Sequence, residues 1–278
     1  MHPEPDSRTT HPYILGHSRR ELERLKTQAR LIDPITRRFL AAAGLQSGMR
    51  LLDVGSGAGD VAFLAADMVG TGGEVVGVDR SGAAIAEARA RAAERSLPQV
   101  SFHEGDPAEM TFDRPFDAVV GRYVLQFQRK PAAMLRRLAS QVRPGGVLMF
   151  HELDWAGLTS FPAVPTFDQC CRWGMEMLRR HGTENRMGIK LHATFVAAGL
   201  PQPSMRFEAP VGGGANATDI LWNLVDFLGT VLPEMERLGV AKAAEVGLDT
   251  LMERIVEEAK IGESAFVGFS QFGAWSRV

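Results

Sequence analysis

Cysteine is almost missing from this chain. Only Cys170 and Cys171 occur, side by side. Neighbouring cysteines rarely bridge each other, and two thiols alone make no metal site. A disulfide scaffold is therefore excluded, no metal is expected, and a reducing, cytoplasmic setting follows. No apolar run reaches membrane-spanning length, so membrane insertion is not expected. The first residues, "MHPEPDSRTTHP", are polar and proline-rich and carry no apolar signal region; a flexible tail is expected over residues 1–12. Excess charge is missing as well. Lys and Arg number 31 against 33 Asp and Glu, for a formal net charge of −2. That leaves no basic footprint for nucleic acid. Internal repeats are not visible. What the chain does have is apolar material, 45% of its 278 residues, enough for a sizeable core in one large domain or two small ones.

The apolar residues alternate between two periods. Ser18-Arg19-Arg20-Glu21 is a capping-box pattern, and Leu22, Leu25, Ala29 and Ile32 recur at helical spacing. Asp33-Pro34 then reads as a new helix start, with Gly44 ending that second helix. Short apolar runs at 49–54, 73–79, 100–106, 116–121 and 147–152 read as buried strands. Helices fit between them over 58–69, after Ser81, and from Pro131 onward. Strands alternating with helices predict a doubly wound, mostly parallel sheet covered on both faces. After residue 155 the pattern loosens. A helix is expected over 188–199, a strand over 203–209, helices over 218–232 and 248–260, and a closing strand in the last run. Gly212-Gly213-Gly214 reads as a loop. The domain division is a helical cover over 13–45 and one domain over 46–278, with helical insertions at about 155–187 and 212–262.

"LLDVGSGAGD" (51–60) carries the chemistry. It follows a strand, opens a helix and places Gly55, Gly57 and Gly59 at alternate positions. A backbone stripped of side chains lets a ligand approach closely. At the carboxyl ends of parallel strands that is where ligands bind. A dinucleotide fingerprint would need glycine where Asp60 stands, and an acid there would repel a pyrophosphate. A phosphate loop would need a Lys-Ser/Thr ending, which is absent. The ligand expected is a nucleoside without phosphates. Asp79, about twenty residues further on, can accept from both ribose hydroxyls, and Gly105-Asp106 could meet an adenine edge.

With these residues in hand, the chain resembles the class I S-adenosylmethionine (SAM)-dependent methyltransferases, of the type that includes ubiquinone, menaquinone and natural-product methylating enzymes. "LLDVGSGAGD", "VVGVDRS" (75–81), "EGDPAEM" (104–110), "FDAVVGRYVLQF" (116–127) and "RPGGVLMFHE" (143–152) resemble that family's motifs in order. The resemblance runs from about Met49 to Trp155. It implies a Rossmann-like seven-stranded sheet with the last strand antiparallel, and SAM as cofactor with S-adenosylhomocysteine (SAH) as product. It implies Asp53, Gly55, Ser56 and Gly57 against the methionine part and Asp79 on the ribose. Arg80, Asp106 and Pro107 would lie about the adenine, and Gly121 and Arg122 would line the cofactor. Tyr13 and Gln28 of the cover are further candidates for contact.

Methyl transfer from SAM needs alignment, and a base where the acceptor must lose a proton. His17 and His151 are the histidines near the expected mouth, and His151, Glu152 and Arg122 are the candidate catalytic residues. His151 is favoured over Glu152, because strand neighbours point to opposite faces and imidazole titrates near neutrality. "GRYV" after the fourth strand differs from the Asn/Asp-Pro-Pro-Tyr/Phe pattern used on nucleic-acid amino groups. Trp155, Phe161, Phe167, Trp173, Leu221, Trp222, Leu224, Phe227 and Leu228 supply core and a candidate apolar wall. The expected partner is a small, largely apolar acceptor, methylated on oxygen, carbon or nitrogen, with a homodimer left open. A SAM-binding protein of other or no chemistry is the alternative, and a nucleotide-dependent oxidoreductase a weaker one.

Overall fold

The computed structural model describes residues 19–278, with side chains from 31 onward. The tail, Tyr13, His17, Ser18 and the side chain of Gln28 lie outside the described residues. One helix, α1, runs over Arg19–Ala43, and Pro34 lies inside it. The expected break at Asp33-Pro34 is thus corrected. Asp33 does not cap a helix start, because its carboxylate is taken by Arg122, whose Nη1 donates at 2.7 Å. A proline forfeits one helical hydrogen bond, and docking of the α1 face through Ile35, Phe39 and Leu40 keeps the helix whole. Gly44 ends it, at φ +92.

Five strands, β1 (Arg50–Val54), β2 (Glu74–Asp79), β3 (Val100–Glu104), β4 (Phe116–Arg122) and β5 (Val142–Asp154), run parallel, joined by α2 (Asp60–Val69), α3 (Gly82–Glu94) and α4 (Pro131–Ala139). Ser81 caps α3 as expected, accepting from the Ala84 amide at 3.3 Å. The chain then leaves the sheet for β6 (Thr159–Phe161), α5 (Pro165–His181) and α6 (Met187–Ala197), and returns as β7 (Ser204–Glu208). β8 (Val211–Gly213), α7 (Thr218–Arg237), α8 (Ala243–Val246), α9 (Leu248–Gly262) and β9 (Ala265–Val267) precede the last strand, β10 (Ser270–Arg277). The sheet order is β3-β2-β1-β4-β5-β10-β7, and β10 is antiparallel to both its neighbours. This is the doubly wound sheet with an antiparallel last strand that the sequence motifs implied.

Two cores sandwich the sheet. Ile35, Phe39, Leu51, Phe63, Val75 and Met149 pack on the face covered by α1, α2 and α3. Leu52, Val54, Leu135, Phe150, Leu191 and Phe195 pack on the face covered by α4 and α6. Strands buried on both sides must be apolar on both sides, which is why β1 and β2 read as continuous runs. A third core joins α5, α7 and α9 around Trp155, whose ring meets Phe227 at 4.9 Å and Phe269 at 4.7 Å. The residues singled out as core or wall divide here: Trp155, Phe167, Leu221, Leu224 and Leu228 are buried, whereas Phe161 and Trp222 are exposed. Cys170 and Cys171 are free thiols in this core, and burial pushes both up to about 12.

Two further corrections concern the insertions. Gly212 and Gly213 are not loop: they form β8, paired with β9 in a small β6-β9-β8 sheet. An added Cβ on Gly212 would stand 2.4 Å from the Asn216 carbonyl, so close backbone packing selects glycine there. The expected closing strand is two strands, since β9 belongs to the small sheet and β10 to the large one.

Candidate functional site

The carboxyl ends of β1, β2, β4 and β5 converge, and the glycine loop leaves β1 at their centre. The amides of Gly55 and Ser56 both donate to the Val78 carbonyl, at 2.8 and 3.0 Å, tying the loop to β2. Gly55, Gly57 and Gly59 all adopt left-handed φ, at +67, +52 and +92. Above Gly57 there is open space: an added Cβ would meet nothing within 4 Å. Asp79, at the end of β2, grips this loop. Its Oδ2 accepts from the Gly57 amide at 2.9 Å and its Oδ1 from the Ser81 amide at 2.8 Å. Asp60 does not leave a bare charge at the start of α2. Arg91 pairs with it at 2.8 Å and also donates to the Ala58 carbonyl.

Asp53 sits beneath the loop with 1% exposure, and neither carboxylate oxygen has a hydrogen-bond partner at normal geometry. The Ser56 hydroxyl beside it is equally orphaned. Burial pushes the Asp53 carboxyl up to about 8; Arg122 and the nearby Ala62 amide oppose the shift, and Asp79 adds to it. Glu152 behaves alike, pushed by burial to about 8 although its Oε1 accepts from the amides of Val124 and Leu125 at 2.9 and 2.7 Å. An acid whose folded pKa lies above its unfolded value stabilises the fold fully below the unfolded value, and that contribution is lost as pH rises through the folded one. For Asp53 the window runs from 3.8 to about 8. Asp53→Asn is therefore expected to gain in melting temperature on the parent protein progressively across that window, and to show no pH-dependent gain below it. Thermal melts from about pH 3 to about pH 9 check this. A constant difference over the range would mean that Asp53 is already charged in the fold at neutral pH.

His151 and Glu152 project to opposite faces of β5, as alternation requires. His151 is fully buried. Its Nδ1 lies 3.1 Å from the Thr36 hydroxyl and its Nε2 2.8 Å from Gln271 Oε1, and Phe39 meets its ring edge-on at 4.9 Å. Burial, with Arg122 adding, lowers its pKa to about 3. Arg122, at the end of β4, donates from Nη1 to Asp33 at 2.7 Å and to Thr36 at 3.0 Å. Gly121 packs on Phe150, which would stand 2.5 Å from an added Cβ. Farther along the edge, Arg80 pairs with Asp106, whose second oxygen accepts from the Ala108 amide at 3.0 Å, and the Pro107 carbonyl accepts from Gln141 at 2.8 Å. Among the described residues no group of three or more His, Cys, Asp or Glu could hold a metal ion.

With the loop, the acids and the sheet order in place, the comparisons with known proteins decide the family. Residues 45–188 match the family described as a methyltransferase domain. The chain belongs to that family. This methyltransferase domain is 40% identical over 114 residues to nocamycin O-methyltransferase of Saccharothrix syringae, covering 41% of each chain. It is 36% identical over 133 residues to the aklanonic acid methyltransferase of a Streptomyces species, covering 48% of this chain and 60% of that one. The matches thus span about half the length of these curated relatives. In fold it is similar to phosphoethanolamine N-methyltransferase 2 of Haemonchus contortus, solved with S-adenosyl-L-methionine. The TM-score is 0.53 at 19% identity, over 88% of this chain and 53% of that one.

Four residues that hold the edge of the methyltransferase domain together escaped the sequence reading. Asp33 and Thr36 lie one turn apart on α1, a spacing that puts both on one helix face. That spacing was the only signal for them, and the apparent helix start masked it. Tyr123 and Gln271 gave none, since their meeting depends on β10 returning beside β5.

Proposed function

We propose that this chain transfers a methyl group from SAM to a small, largely apolar organic acceptor. One observation carries the reading: the open backbone over Gly57 sits between a carboxylate that grips it, Asp79, and a buried carboxylate with no hydrogen-bond partner at normal geometry, Asp53. Such an edge fits a ligand with a polar ribose and a cationic amino-acid end, and a cation placed beside Asp53 favours its charged form. When bound, SAM supplies a methyl group on a positively charged sulfur, open to in-line displacement. Asp53, Gly55, Ser56 and Gly57 hold the methionine part and Asp79 the ribose. Arg80, Asp106 and Pro107 flank the adenine, and Gly121 and Arg122 line the remaining side.

On the acceptor side His151, Glu152 and Arg122 act by holding the edge. His151 stays neutral between Thr36 and Gln271, and Glu152 orders the turn after β4. Alignment and exclusion of water then carry the rate, a contribution worth about 7–11 kcal/mol in well-oriented reactions. The α1 helix and the α5–α7–α9 layer form the cover. The names of the curated relatives, one for nocamycin and one for aklanonic acid, support a small organic acceptor. The near-neutral charge supports a site without nucleic acid, and no described helix is long and apolar enough to cross a membrane, in keeping with a cytoplasmic enzyme. Calorimetry is expected to show SAH binding and no NAD binding, and a labelled methyl group should pass from SAM to members of a panel of small phenols and quinones. NAD binding in place of SAH would return the chain to oxidoreductase chemistry. SAH binding with transfer to nothing in the panel would favour a SAM binder without methyl transfer.

A further inference from the structure

The turn that follows β4 is held from two directions. Tyr123, its first residue, adopts φ +59, a left-handed conformation that a side chain rarely takes without compensation. The compensation is at the ring's far end. The Tyr123 hydroxyl donates to Gln271 Oε1 at 2.6 Å. Gln271 is fully buried, and its Nε2 donates to the Phe269 carbonyl at 2.9 Å. That second bond fixes which way the amide faces, so Oε1 must receive both the tyrosine and the imidazole. His151 Nε2 accordingly carries its proton, and Nδ1, left as an acceptor, shares the single Thr36 hydroxyl proton with the Ile32 carbonyl, each at 3.1 Å. From the other direction Glu152 takes the next two amides of the turn, Val124 and Leu125. Val124 in turn lies hard against the glycine loop: an added Cβ on Gly55 would stand 2.8 Å from its Cγ2.

We propose that Gln271 is a positioning residue for the cofactor edge. Acting through Tyr123, it sets the turn at 123–125. Through Val124 the turn sets Gly55 and the open backbone that follows. The strand that closes the sheet thus places a loop that lies near the other end of the sequence. The proposal rests on reading the glycine loop as the SAM edge, but the mechanical link from turn to loop can be measured without any ligand.

The test compares Tyr123→Phe, Gln271→Leu, Gln271→Glu and the Tyr123→Phe/Gln271→Leu pair. Hydrogen exchange is followed at 55–59 and 122–126 in the free protein, and SAH affinity by calorimetry. Tyr123→Phe should speed exchange in both segments and weaken SAH by roughly two- to tenfold, the span for losing one hydrogen bond, and Gln271→Leu, which also strips His151 and the Phe269 carbonyl of their partner, should do at least as much. The pair should lose no more than Gln271→Leu alone, because the bond that Tyr123→Phe removes is already gone in Gln271→Leu. Gln271→Glu, held protonated by burial, keeps an acceptor for Tyr123 and His151 and a donor for the Phe269 carbonyl, and should retain most of the protection. Faster exchange at 122–126 with 55–59 unchanged would overturn the proposal, as would additive losses in the pair. Should Gln271→Leu fail to fold, Tyr123→Phe set against Gln271→Glu decides on the same readouts. A parent protein that binds no SAH would sink the methyltransferase reading, while exchange at 55–59 would still decide the positioning role.

Discussion

Asp79→Ala should weaken SAH binding by about 1.5–3 kcal/mol, the range for hydrogen bonds to a charged group and more than tenfold in Kd. The carboxylate has two tasks in the free protein. It holds the Gly57 amide on one oxygen and the Ser81 amide on the other, so it joins the glycine loop to the start of α3. Alanine leaves both amides without their acceptor and lets the loop drift from the end of β2. It also removes the group expected to receive the ribose hydroxyls. Asp79→Asn keeps the shape and one acceptor but adds an N–H that faces the amide donors, so its loss should be intermediate. Calorimetry on the three proteins orders them. Undiminished affinity in Asp79→Ala would remove Asp79 from the ligand edge and leave it a structural tie between loop and helix.

Sequence sufficed for the elements whose signal is local. The glycine loop, the five parallel strands and the Ser81 cap each depend on a few neighbouring residues, and the structure has them within a residue or two at most ends. It failed where a long-range partner overrides a local rule. Asp33-Pro34 is a good helix start by local chemistry, yet Arg122, far along the chain, claims the aspartate and the helix runs on. Gly212-Gly213 is good loop material, yet β9 pairs with it and Asn216 leaves no room for a Cβ. The residues of the glycine loop could be nominated from their spacing alone. The chain of side chains at the ends of β4 and β5 could not, because Thr36, Tyr123, His151 and Gln271 come from α1, the turn after β4, β5 and β10, which only the finished sheet brings together. For the same reason His151 is a plausible base in the sequence, whereas in the fold both its nitrogens are bonded and its pKa falls to about 3.

Arg122→Met should destabilise the protein by about 3 kcal/mol, the low end for breaking a buried ion pair, since Asp33 retains some solvent. The arginine side chain is 10% exposed and the Asp33 side chain 25%. Burial already pushes the Asp33 carboxyl above its ordinary range, and Arg122 is the chief opposing influence. Methionine keeps the volume of the stem but leaves the carboxylate, the Thr36 hydroxyl and the neighbouring Asp53 without their cation. For a chain of this size the loss corresponds to a fall of about 6–12 °C in melting temperature. Adding Asp33→Asn to Arg122→Met removes the stranded charge and should recover much of it, because the penalty lies in the uncompensated acid more than in the lost bond. A double variant as unstable as Arg122→Met would place the cost in packing instead. The damage should also be local. Arg122 is the hydrogen-bonded tie between the end of β4 and the middle of α1, so hydrogen exchange in Arg122→Met should rise first over 33–43 and reach β1 and β2 only on global unfolding.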